Sequence, residues 1–128
     1  MRYLLDTHVV IWWLMKPAVL PPRLVALLKS PSNSFLLSIA SPWEMAIKTG
    51  NGKLDVLPIL RDLEAGKFRE TLTILPAEVS QVVRAGLLPL HHRDPFDRLL
   101  AAQALDLRLS LISRDTVFDL YGVKRIWD

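Results

Sequence analysis

Short apolar runs alternate with longer amphipathic stretches along most of this chain. That rhythm favours strands joined by helices over an all-helical or all-strand fold. Tyr3–Leu5 reads as a first strand, and Asp6-Thr7 then opens a helix whose apolar body runs from Val9 to Leu14. Leu20-Pro21-Pro22 interrupts the pattern, and Arg23 to Lys29 is helical by composition. Ser34–Ser38 does not alternate, which predicts a strand covered on both faces. Ser41-Pro42-Trp43-Glu44 carries the grammar of a helix start, with Ser as N-cap, Pro at the first helical position and an acid three after the cap. Gly50-Asn51-Gly52 ends that helix in a turn. Pro58 to Gly66 and Pro76 to Gly86 are further helices, with a short third strand over Leu72–Leu75 between them. Asp94-Pro95-Phe96-Asp97 repeats the helix-start grammar, and that helix runs on through Leu105. Leu109–Ile112 is a fourth strand, and Val123–Ile126 is a candidate fifth.

The connections between strands are long enough to carry crossover helices, so the strands are expected to pair in parallel. The expected architecture is α/β, a three-layer α/β/α sandwich around a short central parallel sheet of four to five strands. At 128 residues the chain suits one domain spanning 1–128, large enough to bury a core without staples. It has no Cys, which excludes a disulfide framework and a thiolate metal site. The hydrophobic fraction of 51% and mean hydropathy of +0.26 are high for a soluble chain. Either the core is unusually complete or some apolar surface meets a partner. A net charge of +3 favours acidic partners only weakly, and there is no Lys/Arg block. The amino terminus lacks signal-peptide character, and the run from Val9 to Met15 is too short to span a bilayer. A soluble, cytoplasmic protein is expected, with no membrane association.

Four acids recur at comparable places. Asp6, Glu44 and Asp115 follow apolar strands by a few residues, and Asp97 opens an apolar helix. In a parallel sheet the strand carboxyl ends and helix amino termini meet on one side, where ligands bind. Each acid has an ordinary alternative role. Asp6, Asp94, Asp97 and Asp115 suit helix or turn starts. Glu44 suits either a capping box with Ser41 or a pair with Lys48 one turn on. Together they argue for a counter-charge, because two carboxylates at 4 Å repel by about 4 kcal/mol at an effective dielectric of 20. Oxygen ligands suit a hard cation, Mg²⁺ or Mn²⁺. Asp94 is assigned to the helix cap and Asp97 to the ion, because a capping side chain turns back to its own helix.

The chain resembles PIN-domain ribonucleases of the VapC toxin type. The resemblance is carried by Leu4-Leu5-Asp6-Thr7-His8 with Trp12-Trp13-Leu14, then Ser41-Pro42-Trp43-Glu44-Met45-Ala46-Ile47-Lys48 and Gly52-Lys53-Leu54. It continues through His92-Arg93-Asp94-Pro95-Phe96-Asp97-Arg98-Leu99-Leu100-Ala101-Ala102-Gln103-Ala104 and ends in Ser113-Arg114-Asp115. It implies a metal-dependent endoribonuclease with Asp6, Glu44, Asp97 and Asp115 as catalytic and metal-binding residues. It also implies a homodimer and a small antitoxin that blocks the site.

Other residues are secondary. Thr7 and Ser113 either orient Asp6 and Asp115 or make ordinary strand-end hydrogen bonds. Arg98 either meets a substrate phosphate or is structural, and Arg114 reads as structural. Lys48 and Lys53 flank the glycine turn and either follow an RNA backbone or lie on a solvated loop. His8, His91 and His92 receive no catalytic role. The apolar excess of Val9–Leu14 predicts either a partner groove or a helix buried on all sides. Two alternatives stand beside the nuclease: a non-catalytic RNA-binding or interaction module, and a metal-dependent phosphatase. The phosphatase would want a second Asp two residues after Asp6, where this chain has His8.

Overall fold

The computed structural model describes all 128 residues. Five parallel strands form one sheet in the order β3-β2-β1-β4-β5. They are β1 (Arg2–Leu5), β2 (Ser34–Ser38), β3 (Leu72–Leu75), β4 (Ser110–Ile112) and β5 (Arg125–Ile126). The helices are α1 (Thr7–Met15), α2 (Pro22–Lys29), α3 (Ala40–Gly50), α4 (Leu57–Glu64), α5 (Val79–Leu87) and α6 (Pro95–Leu107). Short 3₁₀ turns cover Pro17–Val19 and Thr116–Tyr121. No helix is long and apolar enough to cross a membrane.

The pleat of the strands divides the core into two layers, because successive side chains point to opposite faces. Tyr3, Leu5, Phe35, Leu37 and Ile112 pack with Val9 and Val10 of α1 and Leu24 and Leu28 of α2. Leu4, Leu36 and Leu111 pack with Leu100, Ala101 and Ala104 of α6 and with Phe118. A smaller cluster of Met45, Val56 and Ile59 joins α3 to α4. The three-layer parallel architecture is the one the apolar pattern predicts.

Two helix starts differ from expectation. The N-cap of α3 is Ile39, not Ser41, and Pro42 lies inside the first turn. The Ser38 hydroxyl accepts from the Ala40 N–H at 3.2 Å, so an earlier serine bonds the first helical residue. Ser41 is buried and accepts from Thr7 Oγ1 at 2.9 Å, tying α3 to α1. The capping box at Ser41 therefore does not form. One does form at α5, which starts at Val79 rather than Pro76: Glu78 and Gln81 satisfy each other's backbone N–H groups.

Helix α1 is not buried on all sides. Val9 and Val10 are fully buried, while Trp12, Trp13 and Leu14 pack against the core as partly covered groups. Exposed apolar residues lie on several elements, among them Trp43 and Ile47 of α3, and on α5 Val79, Val82, Val83 and Leu87 recur at helical spacing; Val79 is 81% and Leu87 80% exposed.

Candidate functional site

The carboxyl ends of the central strands and the amino end of α6 converge on one cleft of about 280 Å³. It is lined by Asp6, His8, Val9, Trp12, Asp97, Arg114 and Asp115. Asp6 follows β1 directly, and its backbone N–H donates to Ile112 O of β4 at 3.0 Å. Its carboxylate accepts from Ser113 Oγ at 2.7 Å. The same Ser113 hydroxyl accepts from the Asp115 N–H at 3.0 Å, so one fully buried serine links both acids. The orienting role considered for Ser113 thus has a geometric basis. Thr7, the parallel candidate, bonds Ser41 instead.

Asp94 and Asp97 separate as their helix positions require. Asp94 caps α6 through Oδ1, which accepts from the Phe96 N–H at 2.8 Å. Asp97 is left free of capping and lines the cleft. Asp115 divides its carboxylate. Oδ1 accepts from the Val117 N–H at 3.0 Å, capping the 3₁₀ turn, and Oδ2 faces His92 at 3.2 Å. Glu44 is buried; its Oε2 accepts from Lys48 Nζ at 2.8 Å, so of the two roles weighed for it the pair with Lys48 is the one present. Its Oε1 is buried with no hydrogen-bond partner.

The electrostatics record how closely these groups crowd. Burial, followed by the charges of Asp6, Asp94, Glu44 and Asp115, pushes Asp97 from 3.8 up to about 8. Burial also raises Asp6, against the lowering influence of Ser113 and His8. The hydrogen bond to Glu44 raises Lys48, with Asp94 and Asp97 adding to the effect. A buried carboxylate oxygen without a donor is costly, and so is a carboxylate raised by its like-charged neighbours. Both strains are relieved by a cation. Of the four expected acids, Asp97 and Asp115 bring donor atoms within one ion's reach, together with His92, whereas Asp6 and Glu44 do not join that group; carboxylate oxygens suit a hard divalent ion.

Three assignments change. Arg98 is buried and donates to the carbonyls of Gly86, Leu88, Pro89 and His92 at 2.8–3.2 Å, which removes it from the candidates for substrate phosphate. It is the clasp of the α5–α6 loop. Arg114, read as structural, is exposed, makes no ion pair and lines the cleft. Lys48 is engaged by Glu44 rather than free for a phosphate, and Lys53 lies on an exposed turn.

His92 is the residue the sequence reading overlooks. Its Nε2 lies 2.9 Å from Asp97 Oδ2 and 3.2 Å from Asp115 Oδ2. The available signal was its place in the loop that delivers Asp94 and Asp97.

The family profile described as PIN domain matches residues 3–124. No curated protein gives a significant sequence match. Solved structures do resemble this fold. VapBC-1 from nontypeable Haemophilus influenzae matches with a TM-score of 0.67 at 18% identity, covering 98% of this chain and 97% of that one. VapBC2 from Rickettsia felis, bound to a DNA fragment from its promoter, matches with a TM-score of 0.70 at 19% identity over 100% of both chains. FitAB bound to the IR36 DNA fragment matches with a TM-score of 0.63 at 20% identity, covering 98% of this chain and 94% of that one. Those identities carry the fold; the profile match, running nearly from end to end, establishes that this chain belongs to the PIN domain family.

Proposed function

We propose that this protein is a Mg²⁺- or Mn²⁺-dependent endoribonuclease, the VapC-type toxin of a toxin–antitoxin pair, acting on RNA in the cytoplasm. The observation that carries this reading is the buried Glu44 Oε1 without a partner beside a cleft that gathers Asp6, Asp97 and Asp115. A divalent ion held there supplies Lewis-acid stabilisation of a phosphodiester and a more acidic water. Asp6 and Asp97 are the principal ligands in this reading, with Glu44 and Asp115 completing the set. The chain's own groups do the rest. Ser113 fixes the rotamers of Asp6 and Asp115 together. Arg114 meets a substrate phosphate at the cleft mouth, a role geometry favours over Arg98. Asp97, raised by burial and by its neighbours in the ion-free cleft, would be held ionised by an ion bound there.

The fold neighbours named VapBC and FitAB support the assignment of a small antitoxin as partner. The homodimer in this reading uses the exposed face of α5, where Val79, Val82, Val83 and Leu87 offer a continuous apolar stripe to a second copy. The test is cleavage of fluorescent RNA by the purified protein with Mn²⁺, with EDTA, and with Asp6→Asn. The expected result is turnover that EDTA and Asp6→Asn both abolish. Full cleavage by the Asp6→Asn protein would sink the assignment, and metal-stabilised binding without cleavage would favour the non-catalytic RNA-binding alternative.

A further inference from the structure

His92 sits in the α5–α6 loop, outside the acidic quartet, and its ring is held at both nitrogens and against Phe118. Its backbone N–H donates to Tyr121 Oη at 2.8 Å, and Tyr121 in turn donates to Pro89 O at 2.7 Å. The ring lies against Phe118, with centroids 6.2 Å apart. The Asp94 backbone N–H donates to Nδ1 at 3.2 Å. Nε2 is thereby turned toward Asp97 Oδ2 and Asp115 Oδ2.

By spacing alone this is a three-ligand ion site, since one donor atom from each of His92, Asp97 and Asp115 lies within 4.8 Å of the others. The hydrogen bonds argue against His92 as a ligand. A ring nitrogen that accepts an N–H carries no proton of its own, so the neutral ring carries its proton on Nε2. An Nε2 that bears a proton has no lone pair for a cation. That proton faces the two carboxylates, with Asp115 Oδ2 as its hydrogen-bond acceptor and Asp97 Oδ2 in close contact.

We propose that His92 is a positioning residue: its Nε2–H clasps Asp97 and Asp115 to each other and sets which of their oxygens face the ion, without ligating it. This rests on the reading of the cleft as a divalent-cation site. One donor shared between two carboxylates holds them at a separation they would otherwise resist. It lies 2.9 Å from Oδ2 of Asp97, and Oδ1 has no such contact. The backbone of Asp94 supplies the other half of the device. The residue that caps α6 also sets the tautomer of the ring that orients Asp97. Ligand carboxylates are themselves held by hydrogen bonds in most such sites, and loss of the holder typically weakens ion affinity by roughly 10–100-fold.

The experiment has an ion-free arm and a metal arm. Long-range ¹H–¹⁵N NMR of the ion-free protein is expected to show neutral His92 as the Nε2–H tautomer; the Nδ1–H tautomer would overturn the proposal. Mn²⁺ binding is then followed by electron paramagnetic resonance in the native protein, His92→Ala and His92→Gln, each checked for folding by circular dichroism. His92→Ala is expected to weaken Mn²⁺ binding by roughly 10–100-fold. His92→Gln, whose amide restores an N–H, is expected to recover most of it. Echo-modulation spectra of the bound ion are expected to show no directly coordinated ¹⁴N. A coordinated ¹⁴N that disappears in His92→Ala would make His92 a ligand, and equal affinity in all three proteins would make it a bystander; either result overturns the proposal. Native protein that binds no Mn²⁺ would overturn the metal reading and this proposal with it, a failure distinct from a wrong tautomer, which is read without metal.

Discussion

Replacing Asp97 by Asn tests the electrostatics of the cleft directly. In the ion-free fold Asp97 is pushed from 3.8 to about 8, chiefly by burial and then by four neighbouring carboxylates. Between those values the native state holds a proton that the unfolded chain has released. Stability therefore falls as pH rises through that window, by about 1.4 kcal/mol per pH unit, and the loss is complete only above the native value. From pH 5 to pH 7 the loss comes to about 2.7 kcal/mol. For a domain of this size that is a drop in melting temperature of about 10 °C. Asn carries no titrating proton, so Asp97→Asn removes this slope while the other acids titrate in both proteins and largely cancel. Melting the two proteins in EDTA across this range is expected to show the variant gaining about 10 °C on the native protein between pH 5 and pH 7. Saturating Mn²⁺ reverses the order: the native protein gains about 2.7 kcal/mol at an ion concentration of 100 Kd, and the variant loses most of that gain. Parallel melting curves in EDTA would refute the claim that burial and neighbouring charge hold Asp97 protonated.

Other substitutions probe other parts. Arg98→Met should leave the carbonyls of Gly86, Leu88 and His92, at and after the end of α5, without their arginine donor and lower stability by at least about 2 kcal/mol in urea titration, while Pro89 O keeps Tyr121. A neutral result would show that the clasp carries no net stability. Ser113→Ala should cost about 1–3 kcal/mol and weaken Mn²⁺ binding, since it frees Asp6 and orphans the Asp115 N–H together; unchanged calorimetric affinity would refute the coupling. Val83→Glu should convert a dimer to a monomer in light scattering without changing the circular dichroism, because Val83 is exposed on the α5 stripe. A dimer that survives would place the interface elsewhere.

How much of this was legible in the chain depends on how local each cause is. The strands were legible because a buried parallel strand is an apolar run whatever its neighbours. Asp97 was legible because Asp94-Pro95 fixes where α6 begins, which puts the next acid in the first turn. Glu44 was found through a helix start placed two residues late: Ser41 looks like a cap, but α3 already begins at Ala40, Ser38 bonds the first helical N–H and Thr7 claims Ser41. Arg98 and Arg114 both adjoin an acid, and only the path of the α5–α6 loop decides that one turns inward to four carbonyls and the other stays in the cleft. His92 was illegible for a related reason. One of its acceptors, Asp115, lies 23 residues downstream, and no local pattern announces that meeting.

The bond from Ser113 to Asp6 joins residues 107 positions apart and lies where β4 docks beside β1. Asp6 leaves the ribosome 107 residues ahead of its partner. At about 5–20 residues per second, synthesis keeps the two apart for several seconds or more. The nascent chain therefore carries an incomplete centre until Ser113 and Asp115 have been made, and products that stop before them lack both. The cleft is thus assembled only once β4 and the segment after it have been made.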